Sequence, residues 1–104
     1  MRSGDEFRHT IRRGAKGAQP TLVIHVVPGT GGHTSVGFVV SKAVGGAVER
    51  NRVKRRLRHL MRERVAGLPA GSRVVVRALP AASGSTSRAL GDQLDRALAR
   101  AGAR

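Results

Sequence analysis

The chain contains no cysteine, tryptophan or tyrosine, and its 104 residues include only two phenylalanines, Phe7 and Phe38. The lack of cysteine excludes a disulfide framework, a thiolate zinc site and a cysteine nucleophile. Two aromatics are too few for the stacked sheet with which an RRM domain reads RNA, so Phe38 reads as core. Acid is also scarce: six Asp and Glu stand against twenty Lys and Arg, a formal net charge of +14. No H-E-x-x-H motif or carboxylate cluster is present and the four histidines are scattered, so neither a catalytic residue nor a protein-held metal is expected. No apolar run approaches the roughly twenty residues of a membrane span. The N-terminal "MRSGDEFRHTIRR" lacks the apolar segment of a secretory signal, and a cytoplasmic protein is expected.

What the chain does have is arginine, seventeen of its twenty basic residues. A planar guanidinium meets phosphate oxygens bidentately, which an ammonium cannot. Part of the preference for Arg over Lys follows from a GC-rich codon usage, but the net charge does not. A surplus of this size steers the chain toward polyanions. Nucleic acid is the leading partner and an anionic membrane surface the second.

The length sets one domain, residues 1–104, with fraying expected at 1–3 and 102–104. Ser3 and Glu6 form an S-x-x-E box, so a short helix starts near Gly4 or Asp5, carries Phe7 and Ile11 on one face and stops at Gly14. "GAKGAQP" reads as a flexible linker. "TLVIHVV" (21–27) is a strand with Leu22, Ile24 and Val26 on one face and Val23, His25 and Val27 on the other. "PGTGGHT" is followed by a strand, not by a helix with a Lys, which makes it a plain loop instead of a phosphate cradle. "SVGFVVSK" (35–42) is a second strand. Helix character runs from Gly46 to about Val65, with Val53, Leu57, Leu60 and Met61 as its apolar seam. "SRVVVRAL" (72–79) is a strand buried on both sides at its middle. Leu90, Leu94, Leu98, Ala97 and Ala101 mark a packing helix. The order is helix, strands, helix, strand, helix: an α+β chain forming a single small α/β sandwich with a small mixed sheet. The segment from Ser35 to Leu79 is expected to form a parallel strand pair joined by the basic helix.

That helix poses the functional question. At 100° per residue, Asn51, Arg55, Arg58 and Arg62 share a stripe with Arg52 and His59 beside it, Lys54 and Arg56 flank the two faces, and Arg50 lies nearer the apolar side. The basic surface is roughly 15–20 Å long. A solvated face laced with ion pairs would need acids, and only Glu49 and Glu63 are at hand. Uncompensated like charges four residues apart point to a polyanionic partner. A DNA-reading helix-turn-helix is excluded by the strands that precede this helix, so no DNA partner is expected.

The stretch "VGFVVSKAVGGAVERNRVKRRLRHLMRE" resembles the protein subunit of bacterial ribonuclease P. Its marks are Ser41-Lys42, Gly45, Arg50-Asn51-Arg52 and Lys54-Arg55. "DEFRHTIRRG", "LVIHVV" and "RVVVRALPAA" extend the likeness over nearly the whole chain. The resemblance implies a left-handed strand–helix–strand crossover, against the usual rule. It also implies a division of labour. The catalytic RNA subunit, with Mg²⁺ held mainly by that RNA, removes the 5′ leader of precursor tRNA. The protein binds RNA and leader, lowers the metal requirement and is inactive alone. By this resemblance Arg50, Asn51, Arg52, Lys54, Arg55, Arg58, His59 and Arg62 contact the catalytic RNA. Phe7, Arg8, Ile11, Arg12, His25 and Lys42 line the leader cleft. Ile11 and His25 stand where the family often has aromatics, so charge from Arg8, Arg12 and Lys42 is expected to carry more of the leader affinity. For Phe7 and Ile11 a core contact under the first helix is an equally good reading. Gly46 stands where the family often has Asn, and the chain begins close to its first helix, where relatives carry a basic segment.

Three other functions fit parts of this pattern. A ribosomal or ribosome-assembly protein shares the size and charge but not the ordered Ser-Lys and Arg-Asn-Arg signature. A nuclease acting without RNA lacks candidate catalytic residues. A membrane-surface protein would need the apolar seam that the core requires.

Overall fold

The structure is a computed structural model describing residues 4–29 and 31–103; the Ser3 half of the expected capping box, residues 1–3 and Arg104 lie outside the described residues. Three helices, α1 (Gly4–Arg13), α2 (Ala47–Arg62) and α3 (Ser87–Arg100), pack on four strands, β1 (Ala15–Ala18), β2 (Leu22–Val27), β3 (Ser35–Val39) and β4 (Arg73–Ala78). The strand order is β1-β2-β4-β3. β1 and β4 each run antiparallel to β2, and β3 runs parallel to β4. The expected parallel pair across the basic helix is therefore present.

Alternation divides the sheet into two faces. Leu22, Ile24, Val26, Val74 and Val76 join Val53, Leu57 and Met61 of α2 and Leu90, Leu94 and Leu98 of α3 in the main core. The opposite face carries Val23, His25 and Val75, and α1 lies against β2 and β4 there with Thr10 fully buried. β4 is covered on both sides, which is why Val74, Val75 and Val76 all have no exposure. A continuous β-branched run suits that position.

The hand of the crossover follows from backbone chirality. The Ser35 N–H donates to the Ser72 carbonyl, so odd residues of β3 turn their polar backbone groups toward β4. Even residues, Val36 and Phe38, pack toward α2. For L-residues seen from the α2 side with β3 pointing up, this places β4 on the left, and the crossover is left-handed. It departs from the strong right-handed preference of such units.

Four segments differ from expectation. "GAKGAQP" is not a linker: Ala15–Ala18 form the edge strand β1. Its glycine reflects close packing, since a Cβ at Gly17 would meet the Ala97 carbonyl oxygen at 2.0 Å. β3 ends at Val39, not Lys42, because Ser41 and Lys42 accept the N–H groups of Val44 and Gly45 in a turn. α2 ends at Arg62, and a 3₁₀ turn over Val65–Gly67 follows. Ala103, in the segment expected to fray, is buried against the core, and its N–H donates to the Leu98 carbonyl.

Two arginines serve the fold. Arg64, only 15% exposed at its side chain, donates Nε to Asp95 at 2.8 Å and Nη1 to the Leu60 carbonyl at 2.8 Å, tying the end of α2 to α3. Arg56 donates to the Ser85 carbonyl at 3.1 Å. Gly17→Ala should therefore destabilise the fold by about 1–3 kcal/mol through overpacking. Urea denaturation checks this, and an unchanged midpoint would contradict the close approach of β1 to α3.

Candidate nucleic-acid interface

α2 presents its charge because its apolar residues are committed elsewhere. Val53, Leu57 and Met61 are essentially without exposure, which fixes the rotation of the helix and turns Asn51, Arg52, Lys54, Arg55, Arg58, His59 and Arg62 outward. Arg50 is half-buried, and its Nε lies buried with no hydrogen-bond partner. Arg50 thus lies nearer the apolar side, as its helical angle implies.

Little of this charge is neutralised within the chain. Arg52 reaches Glu49 at 3.5 Å and His59 reaches Glu63 at 3.5 Å. The first pair is partly and the second largely open to solvent, and such surface pairs are worth at most about 1 kcal/mol. Lys54, Arg55, Arg58 and Arg62 make no ion pair among the described residues. The result is a cationic surface with several guanidinium groups free to meet phosphate bidentately.

The residues expected to line a leader cleft do not share one environment. Phe7 and Ile11 are half-buried on α1. Phe7 lines an opening together with Gly37, Phe38, Lys54 and Arg58, which brings α1 next to α2 around the free edge of β3. Arg8 and Arg12 are exposed and line a shallow depression with Asp5, His9 and Arg13, and Arg8 is ion-paired to Asp5. Lys42 is exposed in the turn after β3.

His25 is only 3% exposed, on the sheet face that α1 covers, and neither ring nitrogen has a hydrogen-bond partner. An open cleft wall would leave its ring accessible; here it is packed away. Burial, reinforced by the Arg77 and Lys16 charges, holds its pKa below the ordinary histidine value. Sequence alternation placed His25 on the correct face, but not the helix that covers it. Phe38, read as core, is only partly buried at the edge of the sheet. Its place on an edge strand was not legible, because strand order is a tertiary property.

The depressed pKa fixes a sign. Unfolded His25 binds a proton near pH 6.5, whereas folded His25 resists it until lower pH. Its contribution is constant above the unfolded pKa, and stability falls as pH drops from there toward the folded pKa. The fall is at most about 1.4 kcal/mol per pH unit for one proton. His25→Leu should flatten the stability profile between about pH 7 and pH 5.5 relative to the unmodified chain. Urea denaturation across that range checks it, and parallel profiles would remove His25 as the titrating group.

Known proteins resemble this chain over nearly its full length. The family model Ribonuclease P matches residues 1–102. A ribonuclease P protein component from Streptomyces avermitilis is 53% identical over 109 residues, covering 96% of this chain and 89% of the relative. One from a Nocardioides species is 50% identical, covering 99% and 91%. Among solved structures, an RNase P protein from Staphylococcus aureus superposes with a TM-score of 0.87 at 24% identity, covering 99% of this chain and 94% of that one.

Proposed function

The chain belongs to the ribonuclease P protein family, and we propose that its exposed α2 face binds the catalytic RNA while the α1 side engages the 5′ leader of precursor tRNA. It is a protein component of ribonuclease P, the holoenzyme that processes tRNA. Family membership disfavours the ribosome-assembly alternative. The observation that carries the proposal is the uncompensated charge of α2. Seven Arg and Lys lie between Arg50 and Arg62, and only Arg52 among them has an acidic partner within the described residues.

The physical task is to bring two polyanions together. Cations on α2 displace the counterions of one RNA, and the exposed bases of α1 do the same for the other. α1 and α2 lie on opposite faces of the sheet.

Among the described residues no three His, Asp or Glu side chains converge on a point where they could hold a metal ion. The proposal keeps Mg²⁺ mainly with the RNA, as the family resemblance implies. No helix among the described residues is long and apolar enough to cross a membrane. The proposed setting is the cytoplasm.

Reconstitution with the catalytic RNA at low magnesium tests the reading: leader removal should be faster with protein than without. Equal rates would overturn it. Arg55→Ala should weaken binding of the catalytic RNA and reduce the slope of log affinity against log salt by roughly 0.7–0.9, the share of one phosphate contact. An unchanged slope in a folded variant would take Arg55 off the interface.

A further inference from the structure

His25 is a titratable side chain sealed under α1. It is 3% exposed, and neither ring nitrogen has a hydrogen-bond partner. A second unmet group lies in the same interface: Thr10, the one buried residue of α1, has an Oγ1 that also lacks a partner. The end of α1 presses on β2 beside the histidine, since a Cβ at Gly14 would meet the Thr10 carbonyl oxygen at 2.5 Å and the Val26 nitrogen at 3.0 Å.

On the sheet, the charges around His25 are all positive. Lys16 is its register partner on β1, and Arg77 and Arg73 share its face from β4, opposite Val23 and Val27. On α1, Glu6 is the only charged residue that is not exposed, and it lines a depression with Val27, His33 and Arg73, beyond His25 along β2. Asp5, Arg8, His9, Arg12 and Arg13 of α1 are exposed. An imidazolium at His25 is thus a buried charge beside cations and without an acceptor, an arrangement that structures relieve by moving.

Packing decides which element moves. Ile24, Val74 and Val76, all without exposure, bind α2 and α3 to the far face of the sheet. α1 has only two large apolar side chains, Phe7 and Ile11, and both are half-buried. Local opening begins where little apolar surface is buried. The helix is therefore released before the sheet.

We infer that α1 is a proton-gated lid: with His25 neutral it is docked on β2 and β4, and protonation of His25 lifts it while α2, α3 and the sheet stay folded. The docked state takes up this proton at lower pH than the open state does. Docking is therefore at full strength above the open-state pKa, about 6.5, and weakens as pH falls below it. Opening turns His25, Lys16 and Arg77 into three cations on one accessible face. A polyanion bound there favours the protonated form, and by linkage protons strengthen its binding equally. This last step deepens the proposed leader contact of the α1 side and rests on it; the lid itself does not.

The chain lacks cysteine, so Thr10→Cys puts a single thiol under the lid and Val76→Cys a single thiol in the main core. Each labelling rate is divided by that of the same variant unfolded in urea at the same pH, which removes the thiol's own titration. Thr10→Cys should label faster than Val76→Cys, with little response to sub-denaturing urea, because the lid opens without exposing the core. Its ratio should rise up to about 8-fold from pH 7 to pH 5.5, the limit for one proton of open-state pKa near 6.5. His25→Leu in the same background should abolish the rise. Equal labelling of the two thiols, a ratio flat with pH, or a rise that survives His25→Leu would each overturn the lid. Should Thr10→Cys not fold, hydrogen exchange of the α1 amides against those of β4, in the unmodified chain and in His25→Leu, makes the same comparison. A short single-stranded oligonucleotide should also gain more affinity over this pH range with the unmodified chain than with His25→Leu, and equal gains would overturn the coupling to RNA. Failure of the broader role would show separately, as leader removal indifferent to the protein, and would leave the labelling ratios unchanged.

Discussion

The burial of one narrow seam on α2 is the constraint on which the rest of the molecule depends. Val53, Leu57 and Met61 are each worth about 1.5–3 kcal/mol when fully withdrawn from water. Four pairs of like charges spaced i,i+4 lie between Arg50 and Arg62, each costing a few tenths of a kcal/mol, about 1–2 kcal/mol together. Burial wins by a clear margin. The helix can therefore carry a charge density that it could not carry as an isolated peptide, and carry it in one orientation.

The sheet converts that orientation into a layout. Both faces of β2 and β4 are covered, by α2 and α3 on one side and α1 on the other, while β3 is left at the edge. The left-handed crossover places α2 beside that free edge. Phe38 thus stands within reach of four cations from α2, and Phe7 approaches from across Gly37. Had β3 been an interior strand, the same sequence would have a sealed core and a merely charged surface helix.

Not every arginine in so basic a chain faces a ligand. Arg64 is consumed by Asp95 and two carbonyls, and Arg56 by the Ser85 carbonyl. Both lie within or next to the run that reads from sequence as one continuous basic helix. Partner and burial distinguish them from Arg55 and Arg58; residue type does not. His25 makes the same point in reverse. Its residue type suits RNA contact, yet its position under α1 makes it a buried base with no acceptor or donor to meet.

Strong periodicity made several elements legible before any coordinates: the seam of α2, the Leu90–Leu94–Leu98 stripe of α3, the doubly buried run of β4, and the outward stripe from Asn51 to Arg62. Local spacing dictates which residues share a face, and hydrophobicity dictates which face is buried, so these followed without coordinates. The motif Ser41-Lys42 through Lys54-Arg55 carried the family as well. Tertiary structure alone decided the strand order, the edge position of β3, the packing of β1 through Gly17 against Ala97, and the enclosure of His25. Each of these depends on contacts between residues far apart in the chain. A four-residue stretch of Ala, Lys and Gly has no periodicity long enough to announce a strand, and its reason for existing lies on a helix eighty residues away.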